Sequence, residues 1–279
     1  MRYKYRNCQS LTSIDIPNSV TCIGDSAFKY CLSLTSVTIS NSITRIGISA
    51  FYFCSSLMSV IIPDSVSKIG IWAFAECSSL TSIVIPDSVA SIGNDAFRHC
   101  SSLTSVTIPK SVACIESCAF RRCSSLTSVT IPKSVTCIEN GAFYGCSSLT
   151  SVTIPDSVVS IGECAFCDCS SLTSVTIPNS ITSIKWNVFN DCSSLTSIVI
   201  PDSVTNIDGH IFDGCISLSE IHFQVKNPNF IEFKTVIDGI IAFSDELFET
   251  CTLYVPVGTR EAYRNHTVFG KFKNIEIDI

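Results

Sequence analysis

The chain has 279 residues, of which 46% are hydrophobic and 15% charged, and its formal net charge is −6. This composition excludes a disordered chain, because it supplies enough apolar surface for a continuous core. The acidic balance disfavours nucleic-acid binding, which depends on basic residues that neutralise phosphates. Ser, Thr and Pro interrupt every apolar run before the roughly 18 residues that a membrane helix needs, so we expect no membrane insertion.

The N-terminal stretch Met1–Cys8 is basic, but no apolar run follows it, so it does not have the pattern of a secretory signal. Cysteines then recur every 23 residues from Cys8 to Cys215, and leucines keep the same spacing. Nine full units run from Cys8 to Gly214, and a degenerate tenth follows. Tyr5 occupies the phase that Phe holds in later units, so we expect the chain to begin inside a repeat, with a trimmed N-terminus.

Each unit predicts one short strand. The segment SLTSVTIP at 102–109 alternates apolar and polar residues and is rich in β-branched side chains. We expect Val106 and Ile108 to point inward and Ser105 and Thr107 outward. A unit of this size cannot bury its own apolar residues, whereas a stack of units can. The pattern therefore predicts a right-handed leucine-rich-repeat solenoid with a parallel concave sheet and short convex strands or turns.

The repeat register fails after residue 223, so we divide the chain into repeats at 1–223 and a capping segment at 224–279. An atypical terminal unit is expected, because an open solenoid end exposes core and strand edge. Within the predicted α+β cap, Thr259 is the expected N-cap of a short helix that runs through Asn265. Leu253–Val255 and Ile275–Ile279 are the expected strands.

The unit CSSLTSVTIPDSVVSIGECAF, at 146–166, closely resembles the BspA-like leucine-rich repeats, also called the Treponema pallidum type. The resemblance covers nearly the whole chain, and the tail at 251–279 resembles the ending common in such proteins of gut bacteria. It implies a surface-exposed or secreted protein that adheres to host matrix proteins, other cells or mucosal components. The repeat motif contains no catalytic residues to transfer to this chain.

The recurring cysteines are interpreted as small, buried thiols that pack like apolar groups. Among the remaining cysteines, Cys114 and Cys137 share a phase one coil apart and are the best candidates for a disulfide. Cys164, Cys167 and Cys169 lie close in sequence, as in some zinc sites, but Cys169 belongs to the core column and no histidine stands at a ligand spacing. We therefore predict no metal site and no cofactor.

Two surfaces are candidate partner-binding sites. On the predicted concave face, Ile61 and Val84 replace the hydroxyl residues of their column, and Met58 lies beside them. This apolar patch fits either a protein contact or neutral drift in residues of high β propensity. The turn before each column cysteine also varies between coils, and its candidate contact residues are Tyr30, Tyr52, Phe53, Arg98, His99, Arg121 and Arg122.

Stacking is expected to place Arg98, His99, Arg121 and Arg122 on adjacent coils. Lys110 and Lys133 replace Asp or Asn in the column after proline, so a basic cluster results in the middle of an acidic chain. The cluster is either ordinary solvated charge or a site that attracts an acidic protein or glycan.

No nucleophile elbow, phosphate loop or paired-carboxylate signature is present, so we predict that the protein is not an enzyme. The predicted function is a non-catalytic binding or adhesion scaffold, acting as a monomer on a host matrix protein, another cell or a glycan. The alternative is a structural or orphaned repeat fragment without a specific ligand. Ice binding through hydroxyl ladders is disfavoured, because Ile61, Val84 and Val199 interrupt the ladder.

Overall fold

The computed structural model describes residues 5–233 and 242–278. These residues form a parallel β-solenoid of about 11 turns, as the repeat predicts. Equivalent residues of consecutive units lie side by side: Ser13 pairs with Ser36, and Cys114 pairs with Cys137. One 23-residue unit is therefore one coil of the solenoid.

Each coil contributes one strand to the concave parallel sheet. These strands are Ser13–Asp15, Ser36–Thr38, Ser59–Ile61, Ser82–Val84, Ser105–Thr107, Ser128–Thr130, Ser151–Thr153, Ser174–Thr176, Ser197–Ile200 and Glu220–Phe223. Within them Val106 and Ile108 are buried and Ser105 and Thr107 are exposed, as predicted. A slip of one residue would reverse these faces, so the apolar pattern specifies the register.

A second ladder of two-residue strands follows the recurring isoleucine on the convex side. These strands are Arg45–Ile46, Lys68–Ile69, Ser91–Ile92, Cys114–Ile115, Cys137–Ile138, Ser160–Ile161, Ser183–Ile184, Asn206–Ile207 and Glu232–Phe233. From Ile46 to Ile207 the isoleucine is buried in each strand, while the residue before it is exposed or half-buried. The convex face consequently carries one variable side chain per coil at this phase.

The core consists of columns of like side chains. Leu34, Leu57 and Leu80 are fully buried at the same phase of successive coils. The phenylalanine rings stack from coil to coil, with centroids 5.2 to 6.1 Å apart between Phe28 and Phe212. Such spacing allows offset stacking, which adds to the free energy gained by burying the rings. Tyr5 begins this stack 5.4 Å from Phe28, which confirms its predicted phase.

The column cysteines do more than fill space. Each thiol from Cys31 to Cys215 donates a hydrogen bond to the backbone carbonyl of the aromatic residue 26 positions earlier, at Sγ–O distances of 3.0 to 3.3 Å. The interpretation of these thiols as apolar filling was therefore incomplete. They also join consecutive coils.

Two residues in each repeat coil adopt the left-handed conformation. One directly precedes the column cysteine: Asn7, Tyr30, Phe53, Glu76, His99, Arg122, Gly145, Asp168, Asp191 and Gly214. The other lies five residues before the column cysteine: Ser26, Ser49, Trp72, Asp95, Cys118, Gly141, Cys164, Asn187 and His210. This conformation costs a residue other than glycine roughly 1–2 kcal/mol, a cost that packing of the flanking Phe and Cys must offset.

The cap extends the concave sheet. Glu220–Phe223 pairs with Thr252–Val255, which in turn pairs with Asn274–Ile277, all in parallel. Both predicted cap strands are present, although Ile279 lies outside the described residues. Ser197 pairs with Glu220 one unit later, whereas Glu220 pairs with Thr252, so the spacing changes here. We propose on this basis that 1–223 and 224–279 are the repeat and capping parts.

The helices lie in the cap. They are α1 at Asp245–Thr250, α2 at Arg260–Arg264, and 3-10 turns at Pro228–Phe230 and Phe269–Lys271. The predicted helix after Thr259 is present and ends at its C-cap Asn265. Thr259 is the N-cap residue, as predicted, but its hydroxyl donates to the Pro256 carbonyl at 2.7 Å and does not accept a helix N–H. Tyr263 of α2 is fully buried and donates its hydroxyl to the Val225 carbonyl at 2.7 Å, which joins α2 to the start of the capping segment.

Candidate partner-binding surface

The apolar patch lies on the concave face as expected. Ile61 and Val84 are paired residues of adjacent parallel strands and are 73% and 62% exposed. Met58 precedes the first of these strands and is 54% exposed. Exposed apolar side chains on neighbouring strands form a surface that a protein partner can cover.

The three aromatic residues of the N-terminal turns form one cluster. The rings of Tyr30 and Tyr52 meet edge to face with centroids 5.6 Å apart, and Phe53 lies 5.3 Å from Tyr52 and 5.6 Å from Tyr30. Lys29 adds a cation, its Nζ 4.7 Å from the Tyr52 centroid. The left-handed Tyr30 and Phe53 both lie directly before a column cysteine, and stacking brings them together.

The basic residues are also brought together, on the second and third coils after Tyr52 and Phe53. The His99 N–H donates to the Arg121 carbonyl at 2.8 Å, and the Arg122 N–H donates to the Tyr144 carbonyl at 2.6 Å. The guanidinium of Arg121 lies 4.7 Å from the Tyr144 ring centroid, within cation–π range. Arg98 lies beside His99 on the same coil, and its carbonyl accepts the N–H of Glu76 from the preceding coil at 2.8 Å.

Acidic neighbours balance part of this charge. Arg98 lies 3.6 Å from a carboxylate oxygen of Asp95, and His99 lies 3.9 Å from one of Glu76. Burial lowers the pKa of His99, and the nearby Arg98, Arg122 and Arg121 lower it further, while Glu76 acts in the opposite direction. His99 is therefore mainly neutral at pH 7, and the positive charge of the cluster comes from its arginines.

A shallow depression of about 190 Å³ connects the aromatic and basic residues. It is lined by Lys29, Ser49, Tyr52, Trp72, Ala75, Glu76 and Arg98. The two groups therefore form one continuous area, which we call the aromatic–basic surface. It comprises Lys29, Tyr30, Tyr52, Phe53, Trp72, Arg98, His99, Arg121, Arg122 and Tyr144.

The candidate set from the sequence omitted Lys29, Trp72 and Tyr144. Lys29 and Tyr144 stand at the same phase as Tyr52, so their position was a usable signal. Trp72 stands at the other left-handed phase, where most coils carry small or polar residues, and its ring is exposed. A search for the bulkiest residue in each variable column would have found it.

The structure shows where the cysteines that the sequence singled out lie. Cys114 and Cys137 form the disulfide for which the sequence made them the best candidates, with their Cα atoms 4.8 Å apart. Cys169 is a buried column residue whose thiol donates to the Phe143 carbonyl, which agrees with its assignment to the core. The ligand atoms of Cys114, Cys137 and Glu139 lie within 4.8 Å of one another. Within residues 5–233 and 242–278, this is the one group of at least three Cys, His, Asp or Glu side chains that is close enough to hold a metal ion.

The histidine rings have acidic or backbone partners. His210 contacts Asp213, His222 contacts Asp278, and His266 accepts from backbone N–H groups. These partners differ from the Ser–His or Cys–His pairs of nucleophilic catalysis.

Comparison with known proteins identifies the family to which this solenoid belongs. The family model of the BspA type leucine rich repeat region matches residues 1–127 and 115–234, with six copies of the repeat. The chain belongs to the BspA-type leucine-rich-repeat family. This confirms the resemblance found in the sequence, and it makes the chain a member of a family of protein-interaction scaffolds.

Two solved structures of leucine-rich-repeat proteins are similar to this BspA-type protein. A leucine-rich cell surface protein of Faecalibacterium prausnitzii A2-165 is 30% identical, with a TM-score of 0.59, and the match covers 96% of this chain and 88% of that one. A leucine-rich-repeat protein of Bacteroides ovatus ATCC 8483 is 25% identical, with a TM-score of 0.54, and the match covers 100% of this chain and 87% of that one. No curated protein matches the sequence. Within the described residues, no helix has the length and apolar character needed to cross a membrane.

Proposed function

We propose that this BspA-type protein is a non-catalytic, monomeric binding scaffold at the cell surface or in secreted form, which contacts an acidic protein of the host matrix or of another cell. The observation that carries the proposal is the continuity of the aromatic–basic surface. Repetition explains the uniform columns of Ser, Thr, Val and Ile, but it does not explain different large side chains clustered at three variable phases.

The chemistry of this surface favours a protein as the partner. Tyr, Trp and Arg are the residues that most often dominate the binding energy of protein interfaces. Here Trp72 and Tyr52 border a depression that Arg98 also lines. The arginines, of which Arg122 is exposed and Arg98 and Arg121 are half-buried, would attract acidic side chains, and the aromatic rings would supply contact area at a low entropic cost.

The apolar patch on the concave face is a second candidate contact. It contains fewer residues than the aromatic–basic surface, namely Met58, Ile61 and Val84, and none of them is charged. The F. prausnitzii relative is described as a cell surface protein, which supports the proposed location of this chain.

A binding screen with matched variants tests the proposal. The purified protein is screened against matrix proteins, mucins and sulfated glycans. The surface variant combines Tyr30→Asn, Tyr52→Asn and Phe53→Asn, since Asn occupies the same phases at Asn7 and Asn190. The control combines Ile61→Thr and Val84→Thr, which restores the hydroxyl residue found in most coils at that phase.

We expect the wild type to bind a protein ligand, and the surface variant to lose at least about tenfold in affinity, as removal of aromatic interface residues commonly does. The control should retain its affinity. If only the control lost affinity, the contact would lie on the apolar patch. If the protein bound only glycans, the partner would be a glycan and not a protein. Failure to bind any member of the panel would favour the orphaned-repeat alternative.

A further inference from the structure

The tripeptide Cys-Ile-Glu occurs on two consecutive coils, at 114–116 and 137–139. Both occurrences lie on the convex ladder, where every coil places a buried isoleucine between two variable residues. The other coils have different residues at these phases: Cys22 and Gly24, Arg45 and Gly47, Lys68 and Gly70, Ser91 and Gly93, Ser160 and Gly162, Ser183 and Lys185, and Asn206 and Asp208. A sulfur and a carboxylate are therefore duplicated at one place in the solenoid only.

The fold brings three of these side chains, those of Cys114, Cys137 and Glu139, within 4.8 Å of one another, and Glu116 occupies the position of Glu139 on the preceding coil. Cys114 pairs in register with Cys137, and the Glu139 N–H donates to the Ile115 carbonyl at 2.8 Å. The Cys114 Sγ lies 3.9 Å from a carboxylate oxygen of Glu139, and both sulfurs lie within 4.8 Å of that carboxylate. Ile115, which separates Cys114 from Glu116, points into the core. Because successive side chains of an extended segment alternate, Glu116 lies on the same outward side as Cys114.

Access and chemistry suit a metal ion. All four side chains are half-buried, so solvent reaches them while the coil holds their backbones in place. Two thiolates and two carboxylates are a ligand set that a tetrahedral zinc ion accepts. The two sulfurs bind a metal only when they are not bonded to each other, so the disulfide and the metal exclude one another.

We propose that Cys114, Cys137, Glu139 and Glu116 form a redox-gated site for a thiophilic divalent cation such as Zn²⁺. The oxidised chain holds the disulfide and does not bind the ion. A dithiol reductant transfers two electrons and two protons to this bond, so the S–S bond breaks, both sulfurs become thiols, and the dithiol becomes its own disulfide. Binding of Zn²⁺ then displaces the two thiol protons to solvent.

Zinc titration of the full chain in both redox states tests the site. One sample is reduced with a dithiol, which is removed anaerobically, and the other stays oxidised. Each is titrated with Zn²⁺ against a chromophoric chelator, and with Co²⁺ as a spectroscopic probe for thiolate ligands. The variants are Cys114→Ser with Cys137→Ser, the matched control Cys118→Ser with Cys164→Ser, and Glu116→Gln with Glu139→Gln.

We expect one equivalent of Zn²⁺ on the reduced wild type and on the Cys118/Cys164 control, and none on the oxidised chain. The Cys114/Cys137 variant should lose this equivalent. The glutamine variant keeps both sulfurs and should weaken binding at least about tenfold, since even indirect partners of a metal contribute that much. Equal binding in the two redox states, equal binding by the Cys114/Cys137 variant, or full affinity in the glutamine variant would overturn the proposal.

Discussion

The thiol of Cys77 donates a hydrogen bond to the Phe51 carbonyl of the preceding coil, with an Sγ–O distance of 3.2 Å. The same carbonyl also accepts the N–H of Cys54 at 3.0 Å. Burial raises the pKa of the Cys77 thiol to about 12, so it remains a protonated donor at neutral pH. Each column cysteine thus fills a small space in the core and joins two coils.

Replacing Cys77 tests this double role. Cys77→Ala removes the sulfur and its hydrogen bond and should lower the free energy of unfolding by about 1–2 kcal/mol. Cys77→Ser should lower it by more, because a C–O bond is shorter than a C–S bond and leaves the buried hydroxyl out of hydrogen-bond range. Urea unfolding monitored by circular dichroism measures both values. If the serine variant were more stable than the alanine variant, the serine hydroxyl would be forming the hydrogen bond despite its shorter C–O bond, which would contradict this argument.

Native alkylation should distinguish the two kinds of free cysteine. At about pH 8, a small alkylating reagent should label the half-buried Cys8, Cys22, Cys118 and Cys164, because thiolate formation and access both control reactivity. Buried column residues such as Cys77 should react only in denaturant. Peptide mass spectrometry of native and denatured samples gives the pattern. Labelling of Cys77 as fast as Cys118 in the native chain would contradict the packed column.

A pair of identical substitutions tests the left-handed positions. Ser26 has a φ of 55° and Ser13 begins a concave strand. Ser26→Val should cost about 1–2 kcal/mol more in unfolding free energy than Ser13→Val, because a β-branched residue fits a strand and resists the left-handed region. Thermal denaturation of the two variants gives the comparison. Equal midpoints would mean that the backbone relaxes at Ser26.

His266 makes the cap sensitive to acid. Its Nδ1 accepts the N–H groups of Val268 at 3.1 Å and Phe269 at 3.4 Å, so the bonds require a neutral ring. Burial lowers the pKa of His266 below its usual value. The stabilisation is therefore complete above about pH 6.5 and is lost as the pH falls through the lowered pKa.

The variant His266→Asn separates this effect from other titrations. Asparagine retains an acceptor near the position of Nδ1 but does not titrate in this range. The difference in Tm between wild type and variant should narrow or reverse between about pH 7.5 and pH 5. A difference that stays constant over this range would exclude His266 as the source of acid sensitivity.

The 23-residue spacing was sufficient to predict the coil, the strand faces and the adjacency of Ile61 and Val84, since a fixed period leaves one in-register stack. The left-handed positions were missed. Asp168, Asp191 and Gly145 before column cysteines are typical of that conformation, but Tyr30 and other bulky residues at the same phase obscured the signal.

The details of the candidate site that depend on side-chain directions could not be predicted from the sequence. Spacing placed the tyrosines and arginines on adjacent coils, but the depression shared by Tyr52, Trp72 and Arg98 depends on rotamers that periodicity does not specify. The hydrogen bond of the Thr259 hydroxyl was missed for a similar reason. A threonine at an N-cap can either accept a helix N–H or donate to a nearby carbonyl, and this segment has no repeated copy to compare.

Charge reversal at Arg121 and Arg122 tests the proposed surface most directly. The affinity for poly-glutamate, an acidic polypeptide probe, is measured at low salt for the wild type, for Arg121→Glu with Arg122→Glu, and for the exposed control pair Lys110→Glu with Lys133→Glu, which changes the net charge equally. We predict that the arginine variant loses at least about tenfold, or about 1.4 kcal/mol, and that the lysine variant loses far less. No binding by the wild type, or equal affinities of the two variants, would contradict the assignment of partner binding to the aromatic–basic surface.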